Sequence, residues 1–349
     1  MTMTQMELET RQVPSIIAKQ LKENDSLLRN IAARLDKSSL SFVMTIGRGS
    51  SDHACTYAKY LIETQLGLVT ASSAPSVLTL YRSQLKVKNA LVIGISQSGQ
   101  SPDICEVMQS ARKNGAITLA IVNQANSPLA EASEFVVPIG AGVEKSVAAT
   151  KSYIASLTVL LQLVAIWSKN KDLFASLGNL SEKLQEALEK DWSAAIPLFR
   201  NIEDTLILAR GLSFAIAQEA ALKCKETASI QAEAYSAAEV LHGPFALIKK
   251  NHPYLLIAQN DQALKGVLTL SRKIKEAEGK SILAVAPNLL KGEDKNCADL
   301  ILPLPVSENS IQDPLLFIQS FYVMIAKIAV ERGLNPDAPV HLKKITETR

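Results

Sequence analysis

One order of apolar runs and turns occurs twice in this chain, the second copy displaced by roughly 160 residues, and a repeat of that kind is the mark of a duplicated fold. Thr205–Gly211 echoes Phe42–Gly49, and Tyr254–Ala258 echoes Ala90–Ile95. Ser281–Ala286 followed by Ala298–Pro303 echoes Ile117–Val122 followed by Glu134–Pro138. Segments long enough for helices separate the runs, and strands alternating with helices imply a parallel sheet with right-handed crossovers. Each copy is therefore expected to be a doubly wound α/β domain, a sheet covered by helices on both faces.

In the first copy strands are expected at Phe42–Ile46, Leu68–Ala71, Ala90–Ile95, Ile117–Val122 and Phe135–Ile139. The glycine-rich turn Gly47–Ser51 leads from the first of them into an alanine-rich helix, Asp52–Gln65. Ahead of it, Ile16, Ile17, Leu21, Leu27, Leu28, Ile31 and Leu35 return at helical spacing, as a helix covering a sheet edge would require. The expected organisation is a helical segment over 1–40, a first domain over 41–168, a helical linker over 169–200, a second domain over 201–335 and a tail over 336–349. Helices between Tyr153 and about Phe199 would connect and brace the copies.

The most informative stretch is Ala90–Asp103, ALVIGISQSGQSPD. Its apolar half reads as a strand buried on both faces. The strand stops at Ser96; Ser96, Ser98 and Ser101 supply hydroxyls, Gly99 permits a tight turn, and Pro102 stands where a helix would begin, with Ser101 as its cap. Backbone N–H groups, hydroxyls and the positive end of a helix dipole can bind a phosphate without any lysine. A plain capped junction between strand and helix has the same composition. The second copy carries Gln259-Asn-Asp-Gln-Ala-Leu264 at this place, with an acid and no hydroxyl, and an aspartate there would repel a phosphate. One anion site per chain is expected, in the first copy.

Several classes are excluded by what the rest of the sequence holds. The net charge of +3 is scattered, without basic blocks interleaved with aromatics, so no nucleic-acid surface is expected. The start, MTMTQMELETR, is not a secretory leader, and Tyr153–Trp167 is too short and too polar to span a bilayer, so a cytoplasmic protein without membrane partners is expected. Cys55, Cys105, Cys224 and Cys297 are dispersed, as are His53, His242, His252 and His341; neither metal nor cofactor is expected.

Chemistry is concentrated in the second copy. Glu219, Lys223 and Glu226 are spaced four and three apart, which puts carboxylate, ammonium and carboxylate on one helical face. A solvated ion-pair face has the same pattern. Following it are two polar segments, Gln231–Tyr235 and Glu239–Phe245, the latter carrying His242 before Gly-Pro.

Taken in order, five motifs resemble those of the sugar isomerase (SIS) family, in particular the isomerase half of glutamine–fructose-6-phosphate transaminase and the related SIS-type deaminases. They are Gly49-Ser-Ser51, the serine loop Ser96–Ser101, Ala141–Lys151, Leu222–Tyr235 with Glu239–Pro244, and Pro339–Lys344. The resemblance implies two tandem SIS domains, each a flavodoxin-like three-layer sandwich. It implies that Ser50, Ser51, Ser96, Gln97, Ser98, Ser101 and Ala148 contact a sugar phosphate and its hydroxyls. By the same resemblance Glu226 is the enolisation base, Lys223 its companion, His242 a ring-opening acid and base supplied by the other subunit of a homodimer, and Lys344 a group near the substrate carbonyl. Lys343 departs from the small residue usual at its position.

Aldose–ketose chemistry on a phosphosugar requires a phosphate anchor, a ring opener and a base that moves a proton between carbons 1 and 2. Only about 40 residues precede the first strand and residue 2 is Thr, so a glutaminase segment, and with it glutamine-dependent synthesis, is not expected. The reading is an aminosugar-phosphate deaminase, converting glucosamine 6-phosphate and water to fructose 6-phosphate and ammonia. Other ketose or aminosugar phosphates (galactosamine, tagatose or fructosamine 6-phosphate) and a non-catalytic phosphosugar-binding regulator remain as alternatives.

Overall fold

The computed structural model describes residues 3–344, so residues 345–349 of the expected tail lie outside the described residues. Two compact units are present, each built on its own five-stranded, wholly parallel sheet. Residues 13–144 and 151–178, with 343–344, make one unit; residues 3–12, 145–150 and 179–342 make the other.

The chain starts with the short helix α1 (Gln5–Arg11), which belongs to the second unit, and then enters the first with α2 (Val13–Asp36). There follow β1 (Phe42–Ile46), α3 (Ser50–Leu66), β2 (Thr70–Ser72), α4 (Ser76–Thr79), β3 (Ala90–Ser96), α5 (Pro102–Lys113), β4 (Ile117–Val122), α6 (Pro128–Glu131), β5 (Phe135–Pro138), α7 (Lys151–Trp167) and α8 (Lys171–Ser176). The strand order is β2-β1-β3-β4-β5. On one face α2, α3 and α7 pack on the sheet and on one another. On the other, Met44, Val92 and Ala120 of the strands meet Ile104, Val107 and Met108 of α5 and Leu129 of α6 in a closed apolar cluster. β3 is buried along its whole length, as its unbroken apolar run requires of a central strand covered on both faces.

The second unit continues with α9 (Leu180–Glu189), α10 (Ile196–Phe199), β6 (Asp204–Ala209), α11 (Leu212–Ala228), β7 (Gln231–Ser236), β8 (Pro253–Ile257), α12 (Leu264–Glu276), β9 (Lys280–Val285), β10 (Leu300–Pro303) and α13 (Asp313–Glu331). Its order, β10-β9-β8-β6-β7, is the first sheet's order read from the other edge. Val267, Leu268 and Ile274 of α12 pack on Leu256, Leu283 and Val285 of the strands, and α11 covers β6 and β7 from the other side with α13 behind it. Two tandem α/β domains with helices on both faces are thus what the repeat encodes. The repeat reaches backbone detail: Gly49 and Gly211, before α3 and α11, hold φ 54°, ψ −128° and φ 65°, ψ −139°, a conformation closed to residues with a Cβ.

Three elements differ from the sequence reading. Gln231–Tyr235, taken there as a polar segment, lies in the edge strand β7 (Gln231–Ser236), whose outer positions need no apolar residues. The helices between 151 and 200 do not stand apart as a brace, since α7 and α8 are part of the first unit and α9 and α10 of the second. Among the described residues one helix is long and apolar enough to cross a membrane, α13 with the turn before it, Ser310–Glu331, and 83% of its most apolar window is buried within the protein, so its composition is that of a core helix.

Candidate active site

In a sheet of order 2-1-3-4-5 the winding reverses between strands 1 and 3, and the loops leaving their carboxyl ends frame a crevice suited to ligands. Here these loops are Gly47–Gly49, leading into Ser50 and Ser51 at the start of α3, and Gln97–Ser101, leading into α5. They are tied together by one ion pair: Arg48 donates from Nε (3.0 Å) and Nη2 (2.5 Å) to Oδ2 of Asp103, a carboxylate buried in the first turn of α5. The expected hydroxyl groups are thereby gathered at the switch point of the first sheet.

Within the serine loop the turn is closed internally. The Gly99 N–H donates to Ser96 Oγ at 3.0 Å, and the Gln100 N–H to Ser98 Oγ at 3.3 Å. Gly99 has φ 66°, and a Cβ on it would stand 2.3 Å from Ser127 Oγ, so only glycine can occupy the turn. Ser101 takes the N-cap place before Pro102, but its hydroxyl makes no capping bond, contrary to the expected role. Its oxygen is therefore not spent on its own helix, at the end where the α5 dipole favours an anion.

The matching loop of the second unit, after β8, is filled by the protein's own carboxylates. The Asn260 N–H donates to Asp313 Oδ2 and the Ala263 N–H to Asp261 Oδ1, each at 2.8 Å. The Ser307 hydroxyl donates to the other oxygen of Asp313, and Ser213 Oγ donates to Gln259 Oε1 at 2.9 Å. Burial pushes Asp261 above the ordinary carboxylate value, and pushes Asp313 up to about 6.

On α11 the three charges do form one connected row. Lys223 Nζ lies 3.2 Å from Glu219 Oε1 and 2.5 Å from Glu226 Oε2, and the Tyr322 hydroxyl donates to Glu219 Oε1 at 2.9 Å. This is no solvated face: the Lys223 side chain is 1% exposed and that of Glu219 fully buried, while Glu226 keeps 24%. Burial acts to lower the Lys223 ammonium, but the charges of Glu219 and Glu226 outweigh it and leave its pKa above the ordinary lysine value. Of the three, Glu226 alone lines the cavity of about 620 Å³ bounded by the end of α11 and residues 333–342.

The remaining expected residues are placed as follows. Lys344 Nζ donates to Glu144 Oε2 at 3.0 Å; this buried carboxylate also accepts from the Ser152 hydroxyl (2.7 Å) and N–H (3.2 Å) at the start of α7. Ala148 is buried in the 145–150 segment, and His242 is exposed at the end of a short 3₁₀ turn, Glu239–His242. Cys224, between two lysines in sequence, is buried, and its thiol is pushed up to about 12 by that burial. Glu144 and Asp103 were not singled out by sequence. Glu144 stands within Ala141–Lys151 beside Gly142 and Val143, an apolar setting unusual for a solvated acid, and Asp103 stands in a helix's first turn after Pro102.

Fold and site together define a duplicated, doubly wound α/β protein with a hydroxyl-lined loop before a helix in one copy and a largely buried carboxylate–ammonium row in the other. The model of the SIS domain matches residues 42–166 and again 198–329, and the chain belongs to that family. A curated relative, the glutamine–fructose-6-phosphate aminotransferase (isomerizing) of Aquifex aeolicus (strain VF5), is 33% identical over 316 residues, 86% of this chain and 51% of the relative. This chain spans about half the length of the curated relatives it matches. Among solved structures, a candidate phosphosugar isomerase from Silicibacter pomeroyi DSS-3 is 38% identical with TM-score 0.88, covering 96% of this chain and 100% of that one. The C-terminal domain of glucosamine-fructose-6-phosphate aminotransferase from Francisella tularensis is 26% identical with TM-score 0.87, covering 97% and 99%.

Proposed function

We propose that this chain isomerises and deaminates a 6-phosphorylated aminosugar, taking glucosamine 6-phosphate and water to fructose 6-phosphate and ammonia. The observation that carries the reading is Glu226: a carboxylate gripped by a buried lysine, yet still partly accessible at a cavity wall. In the reaction the serine loop, with Ser50 and Ser51, anchors the phosphate through hydroxyls, backbone N–H groups and the α5 dipole. Glu226 removes the proton from carbon 2 of the open-chain aminosugar and returns it to carbon 1, giving a ketimine; water then releases ammonia and the ketose. Lys223 keeps the carboxylate oriented through their 2.5 Å contact, and Lys344 approaches the carbonyl end of the substrate. The names of the relatives support the substrate class.

Cys55, Cys105, Cys224 and Cys297 are all buried, and desolvation raises each thiol, so none of the four is given a role in the reaction. His242 opens the sugar ring, and its exposure, with Leu241 and Leu247 also exposed beside it, fits donation to a second copy in a homodimer.

Ammonia and ketose release from glucosamine, galactosamine and fructosamine 6-phosphates, with tagatose 6-phosphate as an isomerisation substrate and no glutamine present, test the reading. Glu226→Gln should keep phosphosugar affinity and thermal stability while kcat falls by ~10²-fold or more. Full activity in that variant, or a wild type that binds these sugars and turns over none, would overturn it. For the dimer, inactive His242→Ala chains mixed with inactive Glu226→Gln chains should recover part of the activity; no recovery after verified subunit exchange counts against a shared site.

A further inference from the structure

The wall of the Glu226 cavity opposite α11 is made by residues 333–342, which carry little packing of their own: Val340, His341 and Leu342 are exposed, and the backbone offers a turn from the Leu342 N–H to the Pro339 carbonyl at 3.3 Å. What holds this wall is a residue within it, Asp337. Both oxygens of Asp337 accept from the first turn of α1, Oδ2 from the Gln5 N–H and Oδ1 from the Met6 N–H, each at 2.8 Å. These are N–H groups that a helix start leaves without partners, and Asp337 satisfies them from the far end of the chain. The Asp337 carbonyl in turn accepts the Val147 N–H at 3.0 Å.

A second carboxylate works one turn further along α1. Glu9, almost wholly buried, accepts the Lys145 N–H on Oε1 at 2.5 Å and the Ser146 N–H on Oε2 at 3.2 Å, and Gln5 Nε2 donates to its Oε1 at 3.1 Å. α1 itself is seated on α13, with Gln319 Nε2 donating to the Thr10 carbonyl at 3.0 Å. The tail, the 145–147 segment and α1 are thus joined by charge-assisted bonds, each stronger than a neutral one and each dependent on a single carboxylate.

We propose that Asp337 and Glu9 are positioning residues: a two-carboxylate latch through which α1 fixes the tail wall of the Glu226 cavity in its working position. The latch acts on catalysis through the tail and touches no substrate, and its kinetic part rests on the function proposed above. Its physical part does not. The test uses the full chain and the variants Asp337→Ala, Asp337→Asn and Glu9→Gln.

The first readout is the rate at which a water-soluble carbodiimide with an amine labels Glu226, followed by mass spectrometry, together with amide hydrogen exchange over 333–344. Asp337→Ala should speed labelling about fivefold and strip the tail's protection, because the local opening free energy is lowered. Asp337→Asn keeps one acceptor oxygen and should fall between it and the wild type, and Glu9→Gln should deprotect Lys145 and Ser146 first. The second readout is the kcat and KM of whichever phosphosugar is turned over: about tenfold in kcat for Asp337→Ala, with KM changing less, as expected when positioning is lost. A lowered melting temperature with Glu226 labelling and tail exchange as in the wild type would mean a purely structural role and overturn the latch. If the wild type turns over no phosphosugar, the proposed function fails, and labelling and exchange still decide for or against the latch.

Discussion

The loop after β3 and the loop after β8 occupy the same place in two copies of one fold, yet one is lined with hydroxyls and the other is occupied by acids. In the first, Gly99 makes the turn and the Ser96 and Ser98 oxygens accept the N–H groups of Gly99 and Gln100. In the second, Asp261 accepts the Ala263 N–H as Ser98 accepts that of Gln100, and a further carboxylate, Asp313, takes the Asn260 N–H. The difference teaches how one turn can be lined in two ways: the junction between strand and helix stays, because the helix that follows needs it, and in the second copy internal carboxylates fill it. The arginine of the preceding turn follows suit. Arg48 pairs with Asp103 and braces the serine loop, whereas the charge of its counterpart Arg210 acts on Asp261.

The comparison breaks most severely if the serines are dispensable. Ser98→Ala with Ser101→Ala removes two hydrogen bonds to a charged phosphate at roughly 1.5–3 kcal/mol each, so KM for the phosphosugar should rise by ~10²-fold or more. The melting temperature should hardly move, since neither hydroxyl builds the core; an unchanged KM would show that phosphate is anchored elsewhere.

A converse experiment sharpens the comparison by reopening the second loop. Asp261→Ser with Asp313→Asn should take inorganic phosphate binding, measured by calorimetry, from one site per chain to two, the new one weak, with Kd on the order of 1 mM. A stoichiometry that stays at one would mean the second loop has lost more than its vacancy.

The smallest effect is the pH dependence of the second loop. Burial raises Asp313 above its unfolded value to about 6, so the folded state holds that proton more tightly than the unfolded state does. The stabilisation this brings is complete below the unfolded carboxylate value and is lost as pH rises through about 6. Asp313→Asn imitates the protonated form, and the loss of melting temperature between pH 4 and pH 7 should shrink by a few degrees, at most about 3 kcal/mol. An identical pH profile in wild type and variant would show Asp313 to be ionised at no cost.

Much of this contrast is visible in the sequence, because both loops are local: strand, turn and helix cap lie within 14 consecutive residues at Ala90–Asp103, and the lost hydroxyls can be read directly. The spacing of Glu219, Lys223 and Glu226 likewise puts them on one face of α11. What periodicity does not give is which face that is, and here burial under Tyr322 of α13 turns an ordinary surface pattern into a desolvated one. β7 escaped notice because an edge strand is exempt from the apolar alternation that marks central strands. Glu9 and Asp337 were invisible for a different reason: each satisfies backbone groups far away in sequence, and no local pattern announces such a partner.

The sheets end on strands ill suited to recruit a stranger. β2 is three residues long, β5 and β10 finish on Pro138 and Pro303, and β7 carries Glu233, held by the Tyr235 hydroxyl at 2.8 Å, on its exposed side. Short length, proline and charge are the means by which proteins keep open sheets from templating growth along their edges. Main-chain polymerisation, which is neither selective nor easily reversed, is thereby discouraged at all four margins. Side-chain surfaces, where affinity can be tuned residue by residue and undone by dilution, are subject to no such restraint.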